Sequence, residues 1–192
     1  MDINSKKIEQ VLPIVFKYFN RVIVLMWRLG MGKLLNAWPA VFGRIMVIKH
    51  TGRSSGNSYY TPVNYTEKNG TICCTSAFDS YSDWYLHLID NPQIDIWLPD
   101  GWYSAQAEIV EDAGERLPLL REVLASTGFA ALTFGIYPKM METTEYEKAV
   151  ENFNLVRITR QSARTGADGP GSLAWIWPLA LCLLLLKKRR RS

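Results

Sequence analysis

The residues best suited to chemistry lie in one short segment, residues 51–56, with the sequence Thr-Gly-Arg-Ser-Ser-Gly. Two glycines, four residues apart, flank an arginine and two serines. Glycines let the backbone turn tightly beside a ligand, while an arginine fork, hydroxyl groups and bare N–H groups donate hydrogen bonds to anions. The segment therefore predicts a turn that grips a phosphate or a similar anionic group. Its composition is equally typical of a plain hairpin loop.

The chain around this segment has the pattern of a small β-domain. Short runs rich in β-branched and aromatic residues alternate with turn signals such as Asn69-Gly70. Many short strands with few helices indicate a mainly β (α+β) fold, a small barrel with helical additions, rather than a βαβ fold. We predict strands over residues 44–49, 58–65, 71–76, 93–98, 103–110 and 155–159, and helices over residues 83–90, 115–126 and 145–151.

The two ends of the chain have helical patterns of a different kind. Residues 6–29 carry a wide apolar stripe at helical spacing, which predicts a helix packed on the domain or lying in a membrane interface. Residues 173–186 form an uncharged, mostly apolar run that precedes five terminal cations. As a helix this run is about 21 Å long, shorter than the roughly 30 Å hydrocarbon core of a bilayer. We expect a C-terminal anchor at the cytoplasmic face of the plasma membrane, with a processed bacterial sorting signal as the alternative.

Four regions follow from these patterns. We predict an N-terminal helical segment (1–43), a barrel domain (44–160), a linker (161–172) and a hydrophobic tail with a basic end (173–192). The net charge of +4 depends on the five cations of that tail, since the remaining chain has +4 − 5 = −1. No basic face for nucleic acid is therefore predicted.

Side chains that could catalyse a reaction unaided are few. The only two histidines, His50 and His87, are not spaced as metal ligands with another His, Cys or Glu, so no metal site is predicted. The adjacent Cys73 and Cys74 are expected on opposite faces of one strand, and three cysteines suggest no disulfide framework. The sequence has no Walker A motif, no nucleophile elbow and no dinucleotide glycine motif. An enzyme of this kind takes its chemistry from a cofactor.

The turn is one of several segments that together resemble the deazaflavin (F420)-dependent nitroreductase family. In chain order the other segments are Thr61-Pro62-Val63, Thr75-Ser76, the Asp-Trp-Tyr-Leu-His-Leu run at 83–88, and Asn91-Pro92. The resemblance covers residues 21–159. It implies a split β-barrel, FMN-binding-like, of the flavin and deazaflavin oxidoreductase superfamily. It also implies an oxidoreductase in which reduced coenzyme F420 gives a hydride to a lipophilic electrophile, such as a quinone, a nitroaromatic or an activated alkene.

The same resemblance implies roles for individual residues. The implied cofactor-binding residues are Thr51, Gly52, Arg53, Ser54, Ser55, Gly56, Thr61, Pro62, Thr75, Ser76 and Trp84. Tyr137 is the substrate-side candidate, and no catalytic residue is identified. The chain departs from the family pattern at Ser54, Tyr59 and Ala77, where basic residues are usual, and at His87, where asparagine is usual. Each lost cation removes on the order of 1 kcal/mol from binding of a polyanionic tail.

Three functions are compatible with these observations. The first is a membrane-attached F420-dependent quinone reductase or nitroreductase that acts on a small-molecule electron acceptor. The second is an FMN-dependent reductase on the same barrel, because the single phosphate of FMN needs fewer cations. The third is a non-catalytic module that binds a flavin-like cofactor, haem or lipid. Related split barrels often pair across a two-fold axis, so a homodimer is compatible with the resemblance.

Overall fold

The fold is a closed antiparallel barrel with helices on its outside. The computed structural model describes residues 17–39, 43–76, 82–128, 131 and 135–189. Within them, six strands follow the order β1-β2-β3-β6-β5-β4, and β4 pairs with β1 to close the barrel. The strands are β1 (Arg44–Thr51), β2 (Ser58–Lys68), β3 (Thr71–Ser76), β4 (Gln93–Leu98), β5 (Gly101–Val110) and β6 (Asn154–Ala163). The predicted split-barrel fold is confirmed, and several strands run two to four residues beyond their predicted ends.

The barrel interior is filled by residues two apart on each strand, as the alternation of strand side chains requires. On β1, Met46 and Ile48 enter this core, while Val47 between them faces outward. On β3, Cys74 lies in the barrel core and Cys73 packs under the outer helices. The prediction that the two cysteines occupy opposite faces is therefore confirmed.

Three helices that lie between strands in the sequence pack against the barrel. α3 (Asp83–Asp90) has the predicted bounds, and Asn91 caps its C-terminus just before Pro92. α4 (Ala113–Ser126) begins where the Asp112 side chain accepts a hydrogen bond from the Glu115 N–H, at 2.9 Å. With α5 (Thr143–Ala149), it packs a second apolar cluster against the outer faces of β3 and β6.

The N-terminal helix α1 is described over residues 17–28 and packs against the outer face of β1 and β4. Ile23 and Trp27 are buried there with Val47 and Trp97, and the two indole rings lie 6.5 Å apart. Packing on the domain, one of the two predicted placements, is thus observed. Another set of apolar side chains on α1 stays exposed, namely Tyr18, Phe19, Val22 and Leu25. Residues 6–16 of the predicted helix lie outside the described residues.

A short helix, α2 (Gly32–Leu35), connects α1 to the barrel. The Asn36 side chain that follows it accepts a hydrogen bond from the Ile45 N–H at 2.8 Å and donates to the carbonyls of Ile45 and Gly32 at 2.9 Å. One amide therefore ties α2 to the start of β1 and fixes the direction in which α1 leaves the barrel.

The C-terminal segment differs from the flexible linker that its composition predicts. β6 continues to Ala163, and the next residues lie on the barrel, where Gly169 is buried against the Trp102 indole. The N–H groups of Gly171 and Leu173 then donate to the carbonyls of Trp27 and Arg28, at 2.9 and 2.8 Å. The Trp27 carbonyl also accepts from the Gly30 N–H at 3.0 Å, whereas the Leu173 N–H supplies the partner of the Arg28 carbonyl at the end of α1. The segment fastens α1 to the barrel.

The last helix, α6 (Ile176–Arg189), corresponds to the predicted hydrophobic tail. Most of its large apolar side chains are exposed, in particular Leu179, Leu181, Leu183, Leu184, Leu185 and Leu186. Among the residues that the structure describes, no helix has both the length and the apolar character to span a membrane.

Candidate active site

The turn between β1 and β2 is held by its glycines. The Gly52 N–H donates to the Asn57 carbonyl at 2.8 Å, and the Gly56 N–H donates to the Gly52 carbonyl at 2.9 Å. A Cβ on Gly52 would lie 2.6 Å from Ser55 Oγ and from a Tyr59 ring carbon, and Gly56 has a φ of +67°. Because both glycine N–H groups are used inside the turn, the expected anion donors are the exposed residues between them, Arg53, Ser54 and Ser55.

A cleft of about 450 Å³ lies between this turn, α1 and the start of α3. The structure brings six of the predicted cofactor-binding residues to its wall, namely Gly52, Arg53, Ser54, Ser55, Thr61 and Trp84. The remainder of the wall comes from residues without a predicted role there, namely Asn20, His50, Tyr59, Tyr60, Ser82, Asp83 and His87. The wall of the cleft therefore combines hydroxyl and guanidinium donors with flat rings.

The other predicted site residues lie away from this wall. Thr51 and Pro62 are in the paired strands, and Gly56 is at the far end of the turn. The Thr75 hydroxyl donates to the Asn154 carbonyl at 2.9 Å, across β3 and β6. The remaining two are Ser76 and Tyr137.

Ser76 and Tyr137 differ in what they offer a ligand. Ser76 is 2% exposed, and its Oγ has no hydrogen-bond partner among the described residues. A buried hydroxyl without a partner is a candidate contact for a bound molecule. Tyr137 is half exposed in the turn before α5, where its N–H approaches the Met141 sulfur. Its substrate-side role stays a prediction.

The two histidines, 37 residues apart in the sequence, meet in the cleft. His50, on β1, is 3% exposed and places Nε2 3.0 Å from the Thr61 hydroxyl on β2. Its Nδ1 lies 2.9 Å from Nδ1 of His87 on α3. The imidazole centroids are 5.0 Å apart, and the Tyr59 ring stacks on His50 with the centroids 6.0 Å apart. Two ring nitrogens at this distance share one proton in a hydrogen bond.

Burial is the main cause of the unusual acidity of His50. It lowers the pKa of His50 from 6.5 to about 4, and the neighbouring His87 acts in the same direction. At pH 7 His50 is therefore neutral and carries a proton on only one of its two ring nitrogens. Neutral His50 can donate one hydrogen bond and accept another, and its two ring nitrogens face the Thr61 hydroxyl and Nδ1 of His87.

A second, larger hollow of about 910 Å³ adjoins the cleft along α1 and shares the wall formed by Tyr59, Tyr60, Thr61, Asn20 and Asp83. Its cations come from one stripe of α1 and are Lys17, Arg21 and Arg28. The Arg28 guanidinium lies over the Tyr60 ring, 5.0 Å from the centroid. With Arg53, the described lining of the two spaces has four cations and one carboxylate. The electrostatic field therefore favours an extended anionic ligand.

Sequence reasoning missed two features of this site. It treated Arg53 as the certain cation of the turn and did not place the α1 cations beside it, because their position depends on how Trp27 docks on the barrel. It also set the histidines aside as metal ligands without pairing them. One available signal was strand alternation, since Met46, Ile48 and His50 share the inward face of β1. Among the described residues, no group of three or more potential metal ligands is present.

Comparison with known proteins identifies a family and finds partial matches to solved structures. A family model described as F420H(2)-dependent quinone reductase matches residues 20–131, more than half of the 192-residue chain. No curated protein sequence matches the chain. The matched region contains the turn, both histidines and α3, so the family assignment includes the cleft.

Three of the solved structures that match the chain all have TM-scores below 0.5. An F420-H2 dependent reductase (FDR-A) is 21% identical, with 61% of this chain and 93% of that chain covered and a TM-score of 0.39. The conserved hypothetical protein Rv2991 from Mycobacterium tuberculosis is 20% identical, with 70% and 79% covered and a TM-score of 0.45. A structure described as a domain-swapped dimer is 19% identical, with 83% and 100% covered and a TM-score of 0.43. At these values the family assignment depends on the family model alone.

Proposed function

Since this chain belongs to the F420H(2)-dependent quinone reductase family, we propose that it transfers a hydride from reduced F420 to a lipophilic quinone held in the cleft beside α1. That the chain is an F420-dependent oxidoreductase follows from the family. The choice of a quinone, the binding mode and the location in the cell are our proposals. The observation that carries them is the continuous wall of glycine turn, stacked rings and α1 cations.

The residues of this wall fit a ring-bearing, polyanionic cofactor. A side chain at position 52 would collide with Ser55 and Tyr59, so the backbone there is kept bare and close to the cleft. Arg53, Ser54 and Ser55 would hold a phosphate, and the α1 cations would follow a longer anionic tail. This α1 stripe compensates for the missing basic residues of the turn. It favours F420, with its extended tail, over FMN, which has only one phosphate.

Bound F420 supplies the hydride, and the protein's own groups supply position and polarity. Tyr59 and Trp84 offer flat surfaces against which a ring can lie, while Thr61 is held in place by its contact with His50. Hydroxyl and imidazole donors in a partly enclosed cleft stabilise charge that develops on the oxygen of an acceptor. The arrangement therefore suits acceptors that gain negative charge on oxygen, as quinones do.

Apolar side chains next to the cations favour a lipophilic acceptor. Val24, Leu25 and Leu173 line the larger hollow together with Lys17 and Arg21. Leu25 also continues into the exposed apolar face of α1. A hydrophobic acceptor that enters along this face stays in contact with apolar surface until it reaches the cleft.

We further propose that the protein attaches to the cytoplasmic surface of the plasma membrane through α1 and α6. The composition of these helices is that of an interfacial surface that binds anionic lipid. α6 has exposed leucines together with Lys187 and Lys188, and α1 has exposed aromatic side chains. Co-sedimentation with phosphatidylglycerol vesicles tests this attachment. We expect binding that weakens when Leu183 and Leu184 are changed to Ser, and binding equal to that of the parent would contradict the proposal.

Anaerobic turnover tests the proposed function. The purified full-length chain is mixed with reduced F420 and, in parallel, with a short-chain menaquinone, a nitroaromatic or a cyclic enone, and F420 oxidation is followed by fluorescence. We expect the quinone to give the highest kcat/KM. Faster reduction of the nitroaromatic or the enone would contradict the quinone assignment. Turnover with reduced FMN but not with reduced F420 would contradict the cofactor.

A further inference from the structure

The His50–His87 pair is a site that the family assignment does not explain. The two imidazoles come from β1 and α3, lie edge to edge at the wall of the cleft, and are the only histidines of the chain. Imidazole is the one side chain that ordinarily exchanges protons near neutral pH. Its position in the cleft raises the question of which proton the reaction needs.

Reduction of a quinone by hydride leaves the acceptor one proton short. The hydride brings two electrons and one hydrogen nucleus, so the product is an oxyanion that becomes a hydroquinone only when a proton reaches its oxygen. A phenolic oxygen is protonated at pH 7, because its ordinary pKa is about 10. A proton donor at the wall of the cleft therefore lowers the barrier to the transfer.

The distances restrict where the protons of the pair lie. His87 Nδ1 faces His50 Nδ1 at 2.9 Å, and His50 Nε2 faces the Thr61 hydroxyl at 3.0 Å. When His87 carries two protons, its Nδ1–H must donate to a bare His50 Nδ1, and the His50 proton must sit on Nε2 and point at Thr61. Because Nδ1 of His87 is engaged by His50, Nε2 is the ring nitrogen that a molecule in the cleft can contact.

We propose that His87 donates the proton on its Nε2 to the oxygen of the reduced acceptor, and that His50 is a positioning residue that orients the His87 ring. This inference rests on the proposed quinone reduction. In the step, the N–H bond of the His87 imidazolium breaks, an O–H bond forms on the acceptor, and neutral His87 then takes a proton from water. No electron enters or leaves the pair.

The surroundings of the pair match these two roles. His50 is buried and stays neutral, because burial lowers its pKa to about 4, so it serves as a hydrogen-bond acceptor for His87. His87 is only partly buried and lines the cleft, where it can exchange with solvent. The other charged and titratable groups that face the cleft and its adjoining hollow are Asp83, Arg53, Tyr59, Tyr60, Lys17, Arg21 and Arg28.

Imidazole nitrogen NMR of the full-length wild-type protein tests the arrangement without any turnover. At a pH where both rings are neutral, we expect the Nδ1–H tautomer for His87 and the Nε2–H tautomer for His50. A His87 ring with its proton on Nε2 and a bare Nδ1 would overturn the positioning role. This measurement stands even where a histidine variant fails to fold.

Kinetics of three variants test the proton transfer. We expect His87→Gln to lose on the order of 100-fold in kcat for the quinone. We also expect the rate of the wild type to decline at rising pH and the rate of this variant not to. We expect His50→Leu to lose activity as well. Its conservative counterpart, His50→Asn, keeps an acceptor for the His87 Nδ1–H and should recover at least tenfold of that loss.

The outcomes separate this inference from the function on which it rests. A wild-type protein that fails to bind F420, or that reduces no quinone, refutes the proposed function itself. A wild-type protein that turns over, together with a His87→Gln variant that keeps its kcat and its pH profile, refutes only the proton donor. Equal losses in His50→Leu and His50→Asn refute the positioning role of His50.

Discussion

Neutralising cations on α1 should weaken F420 binding by a predictable amount. Lys17 and Arg21 are both exposed at the wall of the larger hollow, so changing both to Gln removes two positive charges with little loss of packing. A unit charge roughly 5 Å from an anionic group in water contributes about 0.8 kcal/mol. The double variant should therefore lose about 1.7 kcal/mol, which is roughly a 15-fold increase in Kd.

Fluorescence titration of F420 at low and high salt measures this loss. The matched control is Lys139→Gln with Lys148→Gln, which removes the same charge from exposed positions away from the described lining of both spaces. We expect the control to bind as the wild type does. The difference between the two double variants should shrink at 1 M salt, where the Debye length is about 3 Å. Equal Kd values for the two double variants at low salt would refute the cationic wall.

Three further predictions concern the scaffold and its titrating groups. Trp27→Ala should lower the free energy of unfolding in urea by about 3–5 kcal/mol, because Trp27 is only 2% exposed. The control Trp38→Ala should change it little, because Trp38 is 61% exposed. Equal effects of the two substitutions would contradict the docking of α1. Native protein treated with a thiol reagent should be modified at Cys182 alone, since Cys73 and Cys74 are buried and burial raises the pKa of each thiol. Rapid labelling of all three cysteines would contradict the burial of these two. Because the pKa of His50 is lowered from 6.5 to about 4, its neutral form stabilises the fold fully above pH 6.5, and this contribution of about 3 kcal/mol is lost as pH falls towards 4. Urea unfolding of wild type and His50→Asn across that range should show that the difference between their free energies of unfolding shrinks as pH falls. A difference that stays constant would refute the lowered pKa of His50.

The barrel was predictable because each strand carries its own signal. Alternating apolar residues and turn signals such as Asn69-Gly70 act over a few residues, so the bounds of β3, β4 and α3 agree with the structure. The opposite faces of Cys73 and Cys74 follow from the same alternation. The glycine turn was predictable for the same reason, since its conformation is determined within residues 52–57.

The rest of the site depends on contacts between distant residues. The cations of α1 reach the hollow only because Trp27 docks beside Trp97, about 70 residues away in the sequence. The alternation of side chains on β1 places His50 on the inward face. No local pattern indicates that α3 brings His87 into contact with His50. These features arise from tertiary packing between distant residues, which the local patterns of a single sequence do not indicate.

The C-terminal segment shows how composition can mislead. Residues 161–171 contain three glycines, a proline and otherwise small or polar side chains, which is typical of a flexible linker. In the structure the same small residues allow close packing, since a Cβ on Gly169 would lie 2.5 Å from the Trp102 ring. The sequence shows only that the side chains of this segment are small. The fold shows that the Trp102 ring occupies the space next to Gly169.

The decisive measurement of the proposed binding mode is a crystal structure of the protein with F420 bound. We expect the cofactor ring in the cleft beside Tyr59 and His87, its phosphate within hydrogen-bonding distance of Arg53, and its tail along Lys17 and Arg21 on α1. A ring that lies outside this cleft, or a tail that leaves α1 untouched, would contradict it.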